Sequence, residues 1–270
     1  MGLKLQDVPA PAGLRWVTQA FSEYFRHPLA YVGLFICFMF AVSLLVLLPW
    51  VGHMLLLMSA PLLTLTFILA SHASQHGRMV QLGAFAAPWT QREPDRRRAL
   101  LGLMLIHAAS TAAVLWLCEL ADGGAFIDWL DALQRWSVAN MQAVPPPGTE
   151  PSMPPEVPGA VAGGLSRLVA LALLAVPFWF APALVFWGGQ GPAQALFSSA
   201  LALWRARAAF VAYALGWLAA GLASIMVTSL LVILLGPTLA GLPIMMIGLV
   251  LSSAFYVSLY FSFRDCFGEP

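Results

Sequence analysis

The chain reads as an all-α polytopic membrane protein, a helical bundle of six transmembrane helices with juxtamembrane amphipathic helices. Three observations carry that reading. Of its 270 residues 60% are hydrophobic and 9% charged, the apolar residues gather into six long runs, and the charges fall almost wholly between them. About 20 apolar residues, at ~1.5 Å of helix rise each, cross a hydrocarbon layer ~30 Å thick. The runs place spans at about 30–49, 52–73, 99–120, 161–187, 208–235 and 242–263. Lipid offers a peptide group no hydrogen-bond partner, so each span must close its own bonds as a helix or join a closed barrel. The runs lack strand-like alternation, which leaves helices. No segment between them is long enough to bury a core of its own, so 1–270 is expected to be a single membrane domain.

Before the first span, Leu14, Val17, Phe21, Tyr24 and Phe25 recur at helical spacing, while Arg15, Gln19, Ser22, Glu23 and Arg26 take the other face. The spacing predicts an amphipathic helix over 12–27, lying on the membrane surface and turned into the bilayer at Pro28. Asp7, Pro9 and Pro11 stand where a signal peptide would have an apolar core and a cleavage site, so the first span is expected to be its own insertion signal. Aromatic stripes return at Phe85 and Trp89, followed by Arg92, and at Phe197, Leu201 and Trp204, followed by Arg205. Surface helices are therefore expected over 81–92 and 192–205 as well. One plan recurs: surface helix, basic anchor, span out, span back. Such units would be three parallel hairpin repeats about an axis normal to the membrane, unlike the inverted repeats of many transporters. The plainer alternative is that juxtamembrane segments collect aromatics and Arg at head-group level.

The first and third outward turns are tight, at Pro49-Trp50-Val51-Gly52 and Gly236-Pro237. The middle one is an external Pro-rich loop over 121–160. It opens with an interfacial helix, in which Phe126, Trp129, Leu130, Leu133 and Trp136 oppose Asp128, Asp131 and Arg135. Pro145, Pro146, Pro147, Pro151, Pro154, Pro155 and Pro158 then force an extended tether, either a spacer or cap or a ligand for a proline-binding partner.

Eleven of the thirteen Lys and Arg residues fall on one side of six alternating spans, and only Arg135 and Arg167 on the other. The positive-inside rule then places both termini in the cytoplasm. A formal charge of +1 gives no general basic surface for nucleic acid. Cys37, Cys118 and Cys266 have no metal-knuckle spacing and read as free thiols.

His107 is the one ionisable residue expected well inside a span. Such groups are costly and often functional, yet a neutral His also packs by hydrogen-bonding to a neighbouring helix. Packing is the expectation, with a transport or proton-relay role as the alternative. His72 and His76 share a helix face, and His53, Met54 and Met58 form a soft-ligand cluster. With no third ligand evident, interfacial packing is expected for the His pair, and a chance cluster for the other. On the fifth helix Gly216, Ala220, Ser224 and Thr228 repeat every four residues, the pattern of a close packing seam. Pro177 and Pro182 kink the fourth helix, either as a static bend or as the wall of a cavity. Gly163-Gly164 and Gly188-Gly189-Gln190-Gly191 read as span-end breakers. Nucleophile elbows, phosphate-binding loops and paired acids are absent from the sequence, so no catalytic, cofactor or metal site is expected.

Two stretches are distinctive: Phe180-Ala181-Pro182-Ala183-Leu184-Val185-Phe186-Trp187, running on to Ala195-Leu196-Phe197 and Trp204, and Phe263-Arg264-Asp265-Cys266-Phe267-Gly268. With the opening Val8-Pro9-Ala10, they resemble an uncharacterised family of proteobacterial six-span inner-membrane proteins, over most of the chain apart from the Pro-rich loop. The resemblance implies an inner-membrane location and no activity, substrate or catalytic residue. The expected function is that of a non-enzymatic membrane assembly or interaction component. It would touch the lipid bilayer and either a membrane-protein partner or a second copy. A small-solute transporter or channel using the kinked fourth helix and His107 is the competing class.

Overall fold

A computed structural model describes residues 4–90, 93–142 and 155–269, the side chains of 140–142 and 237 excepted. In chain order the helices are α1 (Ala12–Arg26), α2 (Pro28–Val46), α3 (Val51–Gln75), α4 (Ala87–Thr90), α5 (Pro94–Asp122), α6 (Ala125–Gln142), α7 (Ala160–Phe178), α8 (Ala181–Phe186) and α9 (Pro192–Arg205). The last run divides at Gly236, whose φ of 74° breaks the helix, into α10 (Arg207–Gly236) and α11 (Thr238–Phe267). Six helices are long and apolar enough to span: α2, α3, α5, the pair α7–α8, α10 and α11. The all-α, six-span architecture is thus present, and among the described residues there is no strand.

Of the expected surface helices, 12–27 and 192–205 are found as α1 and α9. The segment 81–92 is not one helix. It forms a 3-10 turn, Leu82–Phe85, and the single turn α4. Pro88 cannot donate to a preceding turn, which is why the two do not fuse; Arg92 lies outside the described residues. The interfacial helix of the loop is α6, longer than its aromatic stripe. The tether residues Pro145, Pro146, Pro147, Pro151 and Pro154 also lie outside the described residues, whereas Pro155 and Pro158 are non-helical.

The contacts fall into two compact units, 1–107 with 176–270, and 108–175. In the first, α1 does not lie across the spans but runs beside α10. A Cβ at Gly13 would overlap the Ala209 carbonyl oxygen, one at Gly216 would come within 3.1 Å of Val17, and the Phe21 ring lies 5.5 Å from Trp217. Residues 13 to 21 therefore track 209 to 217 in the same direction. Trp16 is fully buried between Phe210 and Tyr213, and its indole N–H donates to Asp265 Oδ2 at 2.9 Å. The chain ends are tied together as well, by Gln6 N–H donating to the Cys266 carbonyl at 2.8 Å.

In the second unit, Arg167 of α7 forms a nearly buried ion pair with Asp122 and lies 4.8 Å over the Phe126 ring. Asp122 also accepts the backbone N–H of Gly124 (3.1 Å) and Phe126 (3.4 Å), capping the start of α6. Gly163 and Gly164 are not breakers but helical residues of α7. A Cβ on Gly163 would overlap Asp122, and one on Gly164 would meet Phe126 at 3.0 Å. They leave room for the carboxylate and the ring. Gly189, at φ 62°, does break the chain, as expected.

Candidate functional site

The bend between α7 and α8 is held shut by a side chain from α9. Pro177 ends α7 and Pro182 occupies the first turn of α8, where a missing N–H costs nothing. The regular bond from Phe180 N–H to the Val176 carbonyl is replaced by the hydroxyl of Ser199. It accepts from Phe180 N–H (3.0 Å) and donates to the Val176 carbonyl (3.2 Å). Ser199, Phe180, Ala181, Ala183 and Leu184 have no exposed surface. Phe180 then packs on Phe210, Phe263 and Phe267. The two distinctive sequence stretches therefore meet beside this bend.

His107 serves a second proline. Pro61 lies inside α3 and has no N–H for the carbonyl four residues earlier, that of Leu57. His107 Nδ1 lies 2.7 Å from that oxygen. A carbonyl only accepts, so Nδ1 carries the proton. The His107 and Phe178 ring centres lie 4.8 Å apart with their planes perpendicular. His107 is half-buried. Its partner could have been anticipated, since a proline in a span frees a carbonyl at a known position.

A third centre lies where α1, α2 and α3 converge. Glu23, placed by spacing on the polar face of α1, is only 2% exposed. Its Oε1 accepts from the Tyr31 hydroxyl (3.0 Å) and the Ser74 hydroxyl (2.5 Å), and its Oε2 from Gln75 Nε2 (2.6 Å). Arg26 lies 3.9 Å from Oε2. Tyr24 beside it is buried, and desolvation raises its phenol above the ordinary value. Nothing local in the sequence marks Glu23, because two of its donors come from 51 and 52 residues away.

The small-residue stripe divides in two. Gly216 lies against Leu14 and Val17 of α1. Ala220, Ser224 and Thr228 are half-exposed, and the two hydroxyls bond to carbonyls of their own helix, Gly221 and Ile225, at 2.7 and 3.0 Å. The His72 and His76 rings lie 4.3 Å apart, but His76 Nδ1 faces the His72 carbonyl and His76 Nε2 faces Glu269 at 3.5 Å. Among the described residues no three His, Cys, Asp or Glu side chains group to hold a metal. His53 and Met54 are exposed at the start of α3. Cys37, Cys118 and Cys266 are free, Cys37 exposed and the other two buried.

No family model matches the chain. No solved structure matches it either. A protein of Burkholderia thailandensis described as a probable inner membrane protein is 30% identical over 274 residues, which cover 99% of this chain and 96% of that one. With six spanning helices and near end-to-end similarity, the chain belongs to the same family of multi-pass inner membrane proteins.

Proposed function

We propose that the protein is a non-enzymatic component of the inner membrane, a single membrane domain over 1–270 with both termini cytoplasmic, that works by lateral contact with another membrane protein or a second copy of itself. The observation that carries this is the state of α10. From 214 to 236 it has no buried residue, although Ala220, Ser224 and Thr228 form a small-residue stripe there. At Gly221 on the same stretch a Cβ would meet nothing within 4 Å. Small residues let helix backbones approach closely, and gain little from facing lipid. The transporter alternative needs polar atoms free at the bend and at His107. Ser199 and His107 Nδ1 are instead engaged with backbone groups, and the polar atom left unpartnered at the bend, the Trp179 indole N–H, is a donor without an ionisable proton.

The test is cross-linking in native membranes, with the three native cysteines replaced by Ser and single cysteines placed at Ala220, Ser224 or, as a control, Phe40, which is 65% exposed on α2. A discrete cross-linked species at Ala220 and Ser224, absent at Phe40, supports the assembly role. Monomer at all three positions overturns it.

A further inference from the structure

Beside the final turn of α3 lies a groove of ≈ 640 Å³, walled by Leu69, His72, Arg78, Met79, Phe186 and Trp187 among others. That volume is typical of a small-molecule site. Its lining contains no Asp or Glu. Arg78 makes its contact with a neutral acceptor, Nη2 to His72 Nδ1 at 3.4 Å, and has no carboxylate partner among the described residues. Glu269 is turned to His76 and Tyr260 and takes no part in the lining. Apart from His72 and Gln81 the rest of the wall is apolar, and it is held from behind. Arg96 donates to the Phe186 carbonyl at 2.8 Å, and the Trp187 ring packs at a tilt against Phe263 and His72.

One guanidinium without a carboxylate partner, on a wall otherwise mostly apolar, selects an anion that carries a hydrocarbon part. Position names the source. α3 has 25 residues and at ~1.5 Å each is ~37 Å long, longer than the ~30 Å hydrocarbon layer, so its last turn reaches the level of lipid phosphates. We infer that this groove binds an anionic phospholipid, its phosphate on Arg78 and its glycerol and first methylenes on Met79, Phe186 and Trp187. Guanidinium and phosphate form charge-assisted, often bidentate hydrogen bonds, which gives the site its selectivity. The inference adds a defined lipid site to the lateral role proposed above. It involves none of the residues of the α10 stripe, so either can fail alone.

The experiment titrates phosphatidylglycerol into the full-length protein in phosphatidylcholine nanodiscs and reads lipid retention by native mass spectrometry, together with the melting temperature. Retained phosphatidylglycerol with a raised melting temperature is expected for the wild type. Arg78→Gln should weaken retention at least tenfold, whereas Arg98→Gln, at a side chain 80% exposed and paired with Asp95, should leave it unchanged. Met79→Gln, at a residue 82% exposed and thus safe for folding, should also weaken retention. Equal losses in Arg78→Gln and Arg98→Gln would show diffuse charge attraction and overturn the site. Inorganic phosphate that competes as well as the lipid would show a free-anion site and overturn the lipid assignment.

Discussion

His107→Phe is the substitution in which packing and transport diverge most. The phenyl ring can keep the edge contact with Phe178, so the loss is confined to the bond with the Leu57 carbonyl. Orphaning a buried carbonyl costs about 1–3 kcal/mol in soluble proteins, and bonds between membrane helices average ~0.6 with a maximum of ~1.7 kcal/mol. We expect about 1 kcal/mol, which in a chain of this size lowers the melting temperature by about 2–4 °C. Pro61 explains why that carbonyl needs His107. In a Pro61→Ala background the residue 61 N–H can serve Leu57 directly, and His107→Phe should then cost only a few tenths of a kcal/mol. The assay is a double-mutant cycle of thermal unfolding in detergent. Additive losses in the cycle would refute the carbonyl-capping role. A pH-dependent flux in vesicles that disappears with His107→Phe would favour transport outright.

Three further outcomes are expected. Glu23→Ala leaves the fully buried Tyr31 hydroxyl without its acceptor, a loss of about 1–3 kcal/mol; adding Tyr31→Phe should recover part of it, and a simple sum in denaturant unfolding would contradict the convergence at Glu23. Gly163→Ala should lower the melting temperature by displacing Asp122 from Arg167, and Arg167→Met should add little more because both open the same pair; full additivity would refute this. Gly216→Leu should overpack α1 against α10 at about 1–3 kcal/mol, whereas Ala220→Leu, half-exposed, should be near neutral for the monomer in detergent; the reverse order of melting temperatures would mean the stripe packs elsewhere.

The six spans were legible because hydrophobic length is a property of the chain alone, and α1 and α9 because an aromatic stripe at 3.6-residue spacing is local. What α1 packs against was not legible. Its aromatic stripe suits a membrane surface or a neighbouring helix equally well, and the choice of α10 depends on two small residues far apart in sequence, Gly13 set against Ala209 and Tyr213 and Gly216 set against Leu14 and Val17. Glu23 was misplaced for the same reason, since helical spacing assigns a face but cannot see Tyr31, Ser74 and Gln75 converging on it. Gly163 and Gly164 read as breakers because glycine usually interrupts helices, whereas here the missing Cβ is used for close approach. The segment 81–92 carried its own warning in Pro88. Pro61 with His107, and the α7–α8 break with Ser199, share one feature: where a helix loses a backbone hydrogen bond, another helix supplies the polar atom that meets the freed group.

Six spans of the proposed topology put both ends of the chain, and the segment between α3 and α5, on one side of the membrane. In a background with the native cysteines replaced by Ser, single cysteines at Asp7, Thr90, Ser152 and Glu269 would be treated in intact cells with an impermeant thiol reagent. Labelling of Ser152→Cys alone, with the other three reacting only after lysis, is the predicted result; a split among Asp7, Thr90 and Glu269 would contradict the six-span path, and labelling of those three with Ser152→Cys protected would invert the orientation.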